Sequence, residues 1–260
     1  MARRLSGGGT VYHGPGNLNF TFIMNGEKGK LVDFKKYFTP VIEFLHTKNI
    51  PAKAGNKNEI VVNGLKISGN AEHVFKNRVL HHGTLLFDSD LEILKKSVKV
   101  EQNKYIDKAV RSHRSEVSNI SDFLDEMVTA DTFTQDFNRF ICDYFQNTSH
   151  YSFTNEEKEL ILALRDNKYS TWEWIYGYSP AFELKRTVVF NEHKIDIYLK
   201  VVKGIAGKVN ITSESLKDMM HSLSHQLKGV KYKYEEVETL LNSEMTGKKE
   251  LKDFLLANLF

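Results

Sequence analysis

Between residues 17 and 24 apolar and polar side chains alternate. Leu18, Phe20 and Phe22 fall on one side, and Asn17, Asn19 and Thr21 on the other. A two-residue period predicts a strand with one buried face. Val11 and Tyr12 predict a shorter strand ahead of it, with His13-Gly14-Pro15-Gly16 as the connecting turn. Over residues 34–46 the period lengthens. Tyr37, Phe38, Val41, Ile42 and Leu45 recur at helical spacing, and Pro40 predicts a local irregularity there. Short strands then return. Ala52–Ala54 and Glu59–Val62 flank the turn Gly55-Asn56-Lys57-Asn58, and Asn63-Gly64 is a tight-hairpin dipeptide leading into strands at 65–71 and 79–87. This part of the chain predicts antiparallel sheet.

The middle reads as mostly helical. Residues 89–96 predict a short helix, 104–120 a loop rich in charges and hydroxyls, and 121–128 a further helix. Thr132 and Gln135 have the spacing of a capping box, ahead of Phe133, Phe137, Phe140, Ile141 and Tyr144 on one helical face. Thr154 and Glu157 make a second box before Leu160, Ile161 and Leu164. A boundary is expected at Tyr176-Gly177-Tyr178-Ser179-Pro180. Beyond it, Val188, Phe190, Ile195, Ile197, Leu199 and Val201 predict a hairpin. Leu216, Met219, Met220, Leu223 and Leu227 predict an amphipathic helix closed by Gly229, and two more helices follow. The fold class is therefore α+β: a mixed or antiparallel sheet with flanking helices over residues 1–176, and a small α+β domain over 181–260.

Composition narrows the function. The 260 residues, 41% of them hydrophobic, suffice for one large and one small domain. The 36 basic and 33 acidic residues nearly cancel, and no Lys/Arg block is interleaved with aromatics, so no nucleic-acid partner is expected. Cys142 is the single cysteine; an intrachain disulfide is impossible and a cytoplasmic setting is expected. No apolar run approaches the roughly 20 residues of a membrane span. Arg3 and Arg4 lead into glycines rather than an apolar core, unlike a signal peptide.

Two stretches carry chemistry. The first is Arg3-Arg4-Leu5-Ser6-Gly7-Gly8-Gly9-Thr10-Val11-Tyr12-His13. Guanidiniums fork onto phosphate or carboxylate oxygens, and consecutive glycines let backbone N–H groups turn toward an anion. The stretch has neither the G-x-x-x-x-G-K-[ST] nor the G-x-G-x-x-G pattern, and a solvated tail with a flexible turn would look similar. The second is Lys66 in Leu65-Lys66-Ile67-Ser68-Gly69-Asn70-Ala71. A lysine in a strand of small residues can hold an ammonium against a carboxylate or phosphate; the alternative is a solvated strand lysine. His81 and His82 are adjacent on a strand and point to opposite faces, which argues against one shared metal ion. No metal-ligating set is assigned. Cys142 lies on an apolar helix face, where a thiol is inert. Trp172, Trp174 and Tyr176 read as packing residues at the domain junction.

Taken together, residues 3–13, Gly16-Asn17-Leu18-Asn19-Phe20, Lys66-Ile67-Ser68-Gly69-Asn70-Ala71, Leu80-His81-His82-Gly83-Thr84-Leu85-Leu86 and Trp172-Glu173-Trp174-Ile175-Tyr176-Gly177-Tyr178-Ser179-Pro180 resemble the lipoate–protein ligase family in order and spacing. The resemblance covers the whole chain. It implies a biotin/lipoyl ligase-like catalytic fold with a C-terminal accessory domain, and an ATP-dependent reaction in two steps. The carboxylate of (R)-lipoate attacks the α-phosphate of ATP, giving lipoyl-AMP and pyrophosphate. A lysine of an acceptor lipoyl domain then attacks the mixed anhydride. The implied acceptors are acyltransferase subunits of 2-oxoacid dehydrogenases and the glycine-cleavage H protein, and Mg²⁺ is implied with the triphosphate.

By the same resemblance Lys66 is catalytic and touches both lipoate and nucleotide. Arg4, Gly9, Thr10, Val11 and Tyr12 bind ATP; Ser6, Gly8 and His13 line the lipoate slot. The chain departs from the family at three points. Members carry a segment ahead of the arginine pair, with a Gly-Arg-Asn loop, so this chain reads as N-terminally truncated. Gly14 stands where aspartate is usual, and Leu65 where a basic residue is frequent. Three other readings stay open: an octanoyl transferase of the same fold with Cys142 as acyl carrier, an inactive module that binds ATP or a lipoyl domain, and a biotin ligase of related fold.

Overall fold

The computed structural model describes residues 2–27, 29, 31–98, 105–107 and 115–260. The chain divides into two compact units. One comprises Arg4–Lys99 and Val110–Ser152, the other Met1–Arg3, Val100–Ala109 and Phe153–Phe260.

In the first unit the alternation at 17–24 is realised as β1 (Asn17–Asn25), with Phe20 buried and Asn19 and Thr21 exposed. The sheet continues through β2 (Ala52–Ala54), β3 (Glu59–Val62), β4 (Leu65–Phe75) and β5 (Arg78–Leu86), all neighbours antiparallel, in the order β1-β5-β4-β3-β2. The β3–β4 turn uses Asn63 at φ 51° and Gly64 at φ 85°, the two left-handed residues a tight hairpin needs. β4 runs on to Phe75, past the predicted end at 71, because Lys76 at φ 56° supplies a second tight reversal into β5. Between β3 and β4 the register slips: Ile60 opposes Ser68 but Val61 opposes Lys66, leaving Ile67 as a bulge.

Val11 and Tyr12 join no strand, contrary to the expectation. The turn after them is pinned elsewhere. Asn17 Nδ2 donates to the Tyr12 carbonyl (3.0 Å), and the Gly16 carbonyl accepts from the N–H groups of Phe87 and Asp88 (both 3.0 Å). Gly16 sits at φ 84° hard against the Asp88 carbonyl, where no side chain fits.

α1 (Phe34–Thr47) passes through Pro40 as an uninterrupted helix. The lost hydrogen bond is offset by burial of Pro40 with Tyr37, Phe38, Val41, Phe44 and Leu45. α2 (Leu91–Ser97) is capped by Asp90. Residues 121–128 do not form the expected helix. A single 3₁₀ turn, Ile120–Phe123, ends at Leu124 with ψ 137°, while the Asp122 carboxylate accepts from Asn119 N–H and Ser118 Oγ. α3 (Ala130–Phe145) begins earlier than expected, with Thr129 rather than Thr132 as its cap; the Thr129 hydroxyl accepts from the N–H of Thr132 (3.1 Å). α1 and α3 share one core with the sheet, Phe44, Phe133 and Phe137 meeting Phe20, Ile67 and Leu85.

The predicted loop at 104–120 is only partly a loop. Tyr105–Asp107 form β6, Val117 makes a parallel bridge to Lys66, and residues 104 and 108–114 lie outside the described residues. In the second unit β6 joins β7 (Phe182–Phe190), β8 (His193–Val202) and β9 (Ile205–Thr212) in the order β6-β7-β8-β9. β7 and β8 are the predicted hairpin, and β9 extends it. α5 (Lys217–Leu227), α6 (Tyr234–Glu244) and α7 (Lys249–Leu259) bury Met220, Leu223, Leu241 and Leu255 against Leu184, Ile197 and Leu199. α4 (Asn155–Leu164) has the predicted Thr154–Glu157 capping box, with Leu160, Ile161 and Leu164 exposed.

Candidate active site

The arginine-glycine stretch folds into a loop around Arg4. Its Nη2 donates to the Gly9 carbonyl (2.7 Å), closing residues 4–9 on themselves. Gly8 sits at φ 111°, and a Cβ there would run into the guanidinium, so the middle glycine of the three must stay bare. Ser6 is buried, and its hydroxyl lies 2.5 Å from Nε2 of His82 on β5, which ties the loop to the sheet. Gly7 and Gly8 are exposed, Gly9 is half-buried, and Thr10, Val11 and His13 are exposed. Tyr12 is half-buried with its ring over Gly14.

Charge in this loop is partly desolvated. Burial lowers the Arg4 pKa from its ordinary value, although guanidinium stays charged at neutral pH. His82 is pushed down by burial first and then by the positive fields of Arg4 and His13. The Ser6 partner is thus a neutral imidazole at pH 7.

Lys66 comes from the neighbouring strand. The β4 bulge turns its side chain over Gly69: a Cβ on Gly69 would lie 3.3 Å from Lys66 Cε and 3.4 Å from Nζ. Gly69 opposes Thr84, Ala71 opposes His82, and cross-strand partners share a face. Lys66 and the Ser6–His82 contact therefore stand on the same face of the sheet. Segment 116–118 fixes the Lys66 backbone: its N–H donates to the Glu116 carbonyl (2.8 Å), and its carbonyl accepts from Ser118 N–H (3.2 Å).

Glu59 was not singled out from the sequence. It opposes Gly69, is 8% exposed, and brings Oε2 to 3.9 Å from Lys66 Nζ while accepting from Ser115 Oγ at 3.0 Å. The bulge creates this juxtaposition, and no local pattern announces it. His82 is the other addition. The sequence showed it as one of two adjacent strand histidines, within a stretch of the family resemblance, without assigning it a role.

The opposite face is a different environment. His81 is fully buried, stacked on Tyr37 at 4.7 Å, with Nδ1 3.0 Å from Glu72 Oε1 and Nε2 3.3 Å from Asn70 Oδ1. Burial drops its pKa to about 4 and raises that of Glu72. The two histidines do face opposite ways. Arg3 leaves the loop altogether. Its Nε donates to the Ile175 carbonyl (2.8 Å), Nη2 donates to Ser179 Oγ (2.6 Å), and its own carbonyl accepts from Trp174 Nε1 (2.9 Å), all within the second unit. Cys142 is half-buried on α3.

A bare-glycine loop closed by a guanidinium, and a strand lysine on one antiparallel sheet with a helical core behind it, belong to an α+β domain of the lipoate ligase type. Residues 1–141 match the lipoyl protein ligase A/B catalytic domain, and residues 179–257 the bacterial lipoate protein ligase C-terminus. The chain belongs to the lipoate–protein ligase family.

It is 41% identical over 206 residues to lipoate-protein ligase LplJ of Bacillus subtilis, covering 78% of this chain and 62% of that one. The archaeal bi-partite lipoate protein ligase of Thermoplasma acidophilum superposes with TM-score 0.55 at 28% identity, over 67% of this chain and 69% of the other. A lipoate-protein ligase A crystallised with ATP gives TM-score 0.54 at 28% identity, over 66% and 70%. The chain spans 62% of the length of the B. subtilis ligase and of lipoate–protein ligase 1 of Staphylococcus aureus. Among the described residues no helix is long and apolar enough to cross a membrane.

Proposed function

We propose that this chain carries the catalytic site of an ATP-dependent lipoate–protein ligase. The observation that carries the proposal is the shared sheet face of Lys66 and the Arg4–Ser6 loop. In the first step a carboxylate oxygen attacks the α-phosphorus. A P–O bond forms to the acyl oxygen, the bond to the β-phosphate oxygen breaks, and pyrophosphate leaves. Two anions must approach, and their repulsion is the barrier the protein has to offset. Lys66 is assigned to that place, its ammonium between the carboxylate and the α-phosphate. Arg4 and the backbone of Gly9, Thr10, Val11 and Tyr12 are assigned to the nucleotide. Ser6, Gly8 and His13, with His82, are assigned to the acid; a neutral imidazole and the small Ala71 suit an apolar body. Catalysis of this kind is positioning and charge stabilisation without a covalent enzyme intermediate. In the second step the acceptor lysine amine attacks the acyl carbon, an amide forms, and AMP leaves.

Among the described residues no three His, Cys, Asp or Glu side chains converge as a metal cage. A magnesium ion usually takes one or two protein carboxylates and fills its remaining positions from phosphates and water. Glu59 beside Lys66 fits that role; a bound ion would neutralise triphosphate charge.

The matches to residues 1–141 and 179–257 support a catalytic domain over 1–176 and an accessory domain over 181–260. The T. acidophilum ligase is described together with an E2 lipoyl domain, which supports lipoyl domains of 2-oxoacid dehydrogenase acyltransferases as acceptors; the glycine-cleavage H protein is the second candidate. The single cysteine supports a cytoplasmic setting.

Lipoate-dependent exchange of pyrophosphate into ATP tests the first step, and a mobility shift of an apo lipoyl domain tests the second. Exchange that is absent, or unchanged in Lys66→Ala, overturns the proposal.

A further inference from the structure

Two Asn-Gly pairs occur in the chain, Asn25-Gly26 and Asn63-Gly64. Asparagine is chemically labile, and its side-chain amide carbon is open to attack by the main-chain nitrogen of the next residue. A following glycine, with no Cβ, leaves that nitrogen most accessible. The fold treats the two pairs differently.

Asn25 is the last residue of β1 and opposes Arg78. The Gly26 N–H donates to the Asn77 carbonyl at 2.7 Å. Gly26 is half-buried, and a Cβ on it would meet the Leu31 side chain at 2.5 Å. The attacking nitrogen is thus already bonded, and its surroundings are packed. Asn63-Gly64 is the reverse. Both residues are exposed at the tip of the β3–β4 hairpin, and a Cβ on Gly64 would meet nothing within 4 Å. Among the described residues the Gly64 N–H has no main-chain acceptor. Swinging the Asn63 side chain toward it displaces no buried group, and loop tips open more readily than strand interiors.

We infer that Asn63 is a site of spontaneous modification, converted through a cyclic imide to isoaspartate and aspartate, while the fold protects Asn25. The Gly64 nitrogen forms a bond to Asn63 Cγ, the bond from Cγ to Nδ2 breaks, and ammonia leaves with the Gly64 proton. Water then opens the ring. Opening at Cγ gives aspartate. Opening at the main-chain carbonyl leaves the chain running through Cβ and Cγ, which is isoaspartate. Water is the only co-reactant, and nothing is oxidised or reduced. Isoaspartate adds a main-chain atom and a negative charge to a two-residue turn. That turn sets Val62 opposite Leu65 and Val61 opposite Lys66. A lengthened turn loosens the register that holds Lys66.

Peptide mapping of the full chain after weeks in mildly alkaline buffer tests the site. The amide-to-acid mass increase gives the extent at each position, and isoaspartate-specific enzymatic methylation gives the linkage. In the folded protein, conversion at Asn63 is expected to run at least tenfold faster than at Asn25. In urea the two rates are expected to converge, since both pairs are Asn-Gly. Hydrogen exchange at the Lys66 N–H, which is bonded to the Glu116 carbonyl, is expected to quicken in the aged protein. Asn63→Gly keeps a turn of two permissive residues, and on ageing its Lys66 N–H is expected to stay as in the fresh variant. Equal rates at the two sites in the folded chain, or an Asn63 that stays intact there while converting in urea, would overturn the inference. Unchanged Lys66 exchange in protein rich in isoaspartate would overturn the link to Lys66. None of these measurements depends on the ligase reading.

Discussion

Glu59 Oε2 lies 3.9 Å from Lys66 Nζ, across a β-bulge at Ile67 that sets both side chains over Gly69. Both groups are mostly buried, with side-chain exposures of 24% for the lysine and 11% for the acid. The lysine is held from three sides: by this carboxylate, by Glu116 and Ser118 on its backbone, and by Ser115 behind the carboxylate. Such a frame fixes where a single positive charge stands. Lys66→Ala is expected to lower lipoate-dependent pyrophosphate exchange by about 10²–10³-fold, the usual effect of removing one preorganised charge contact. Glu59→Gln, which keeps the shape, is expected to cut exchange less, by about tenfold, with the Lys66→Ala effect no longer additive on it. Rates of the two single variants and the double variant check this.

Gly69 and Gly83 make a contrasting pair. A Cβ on Gly83 would overlap the Asn70 amide oxygen and the Phe20 ring, both buried. Gly83→Ala is expected to destabilise the first unit by about 1–3 kcal/mol, as overpacking does. A Cβ on Gly69 meets only the far end of the Lys66 side chain. Gly69→Ala is expected to leave the melting temperature nearly unchanged and to lower exchange by displacing the ammonium. Melting curves and exchange rates on both variants separate the two effects.

Acid is expected to loosen the first unit through His81. Its folded pKa of about 4 lies below the ordinary 6.5, so the unfolded chain takes up this proton first as pH falls. The stability contributed by neutral His81 is full above pH 6.5 and is lost progressively down to about pH 4, on the order of 3 kcal/mol in all. Glu72 works the other way: burial raises its folded pKa, so protonation of its carboxyl favours the folded state in acid. Tyr37, stacked on His81, is raised as well and stays neutral throughout this range. Urea unfolding between pH 7 and 4 should show falling stability, and His81→Gln should flatten the slope.

Cys142 provides the test of an acyl-enzyme route. It sits half-buried on α3, a helix whose Phe133 and Phe137 face the core. Cys142→Ser is expected to keep exchange and lipoylation at the level of the parent chain and to show no loss of covalent acyl labelling, measured by intact-mass spectrometry after incubation with an acyl donor.

Much of the fold was legible because its period is local. The alternation in β1, the helical spacing in α1 and the Asn63-Gly64 turn each report a conformation from neighbours a few residues apart. The Thr154–Glu157 box was legible for the same reason, whereas Thr129 displaced Thr132 as the α3 cap because two threonines three apart can each serve. Val11 and Tyr12 have strand-like side chains, but Asn17 holds the Tyr12 carbonyl while Gly16 and Asn17 are anchored to residues 87–89, and this fixes residues 11 and 12 in a loop.

The sequence by itself determined that an arginine-serine-glycine stretch and a strand lysine exist, and which chemistry each can do. Tertiary structure decided which of these groups meet. Arg3 and Arg4 are adjacent in the chain, yet one binds Ile175 and Ser179 and the other closes the glycine loop on Gly9. Glu59 and Lys66 are seven residues apart with no shared motif, yet a one-residue slip between β3 and β4 makes them partners. A side chain's chemistry is set by its own atoms, whereas its neighbours are set by strand register and long-range hydrogen bonds, which no local pattern encodes.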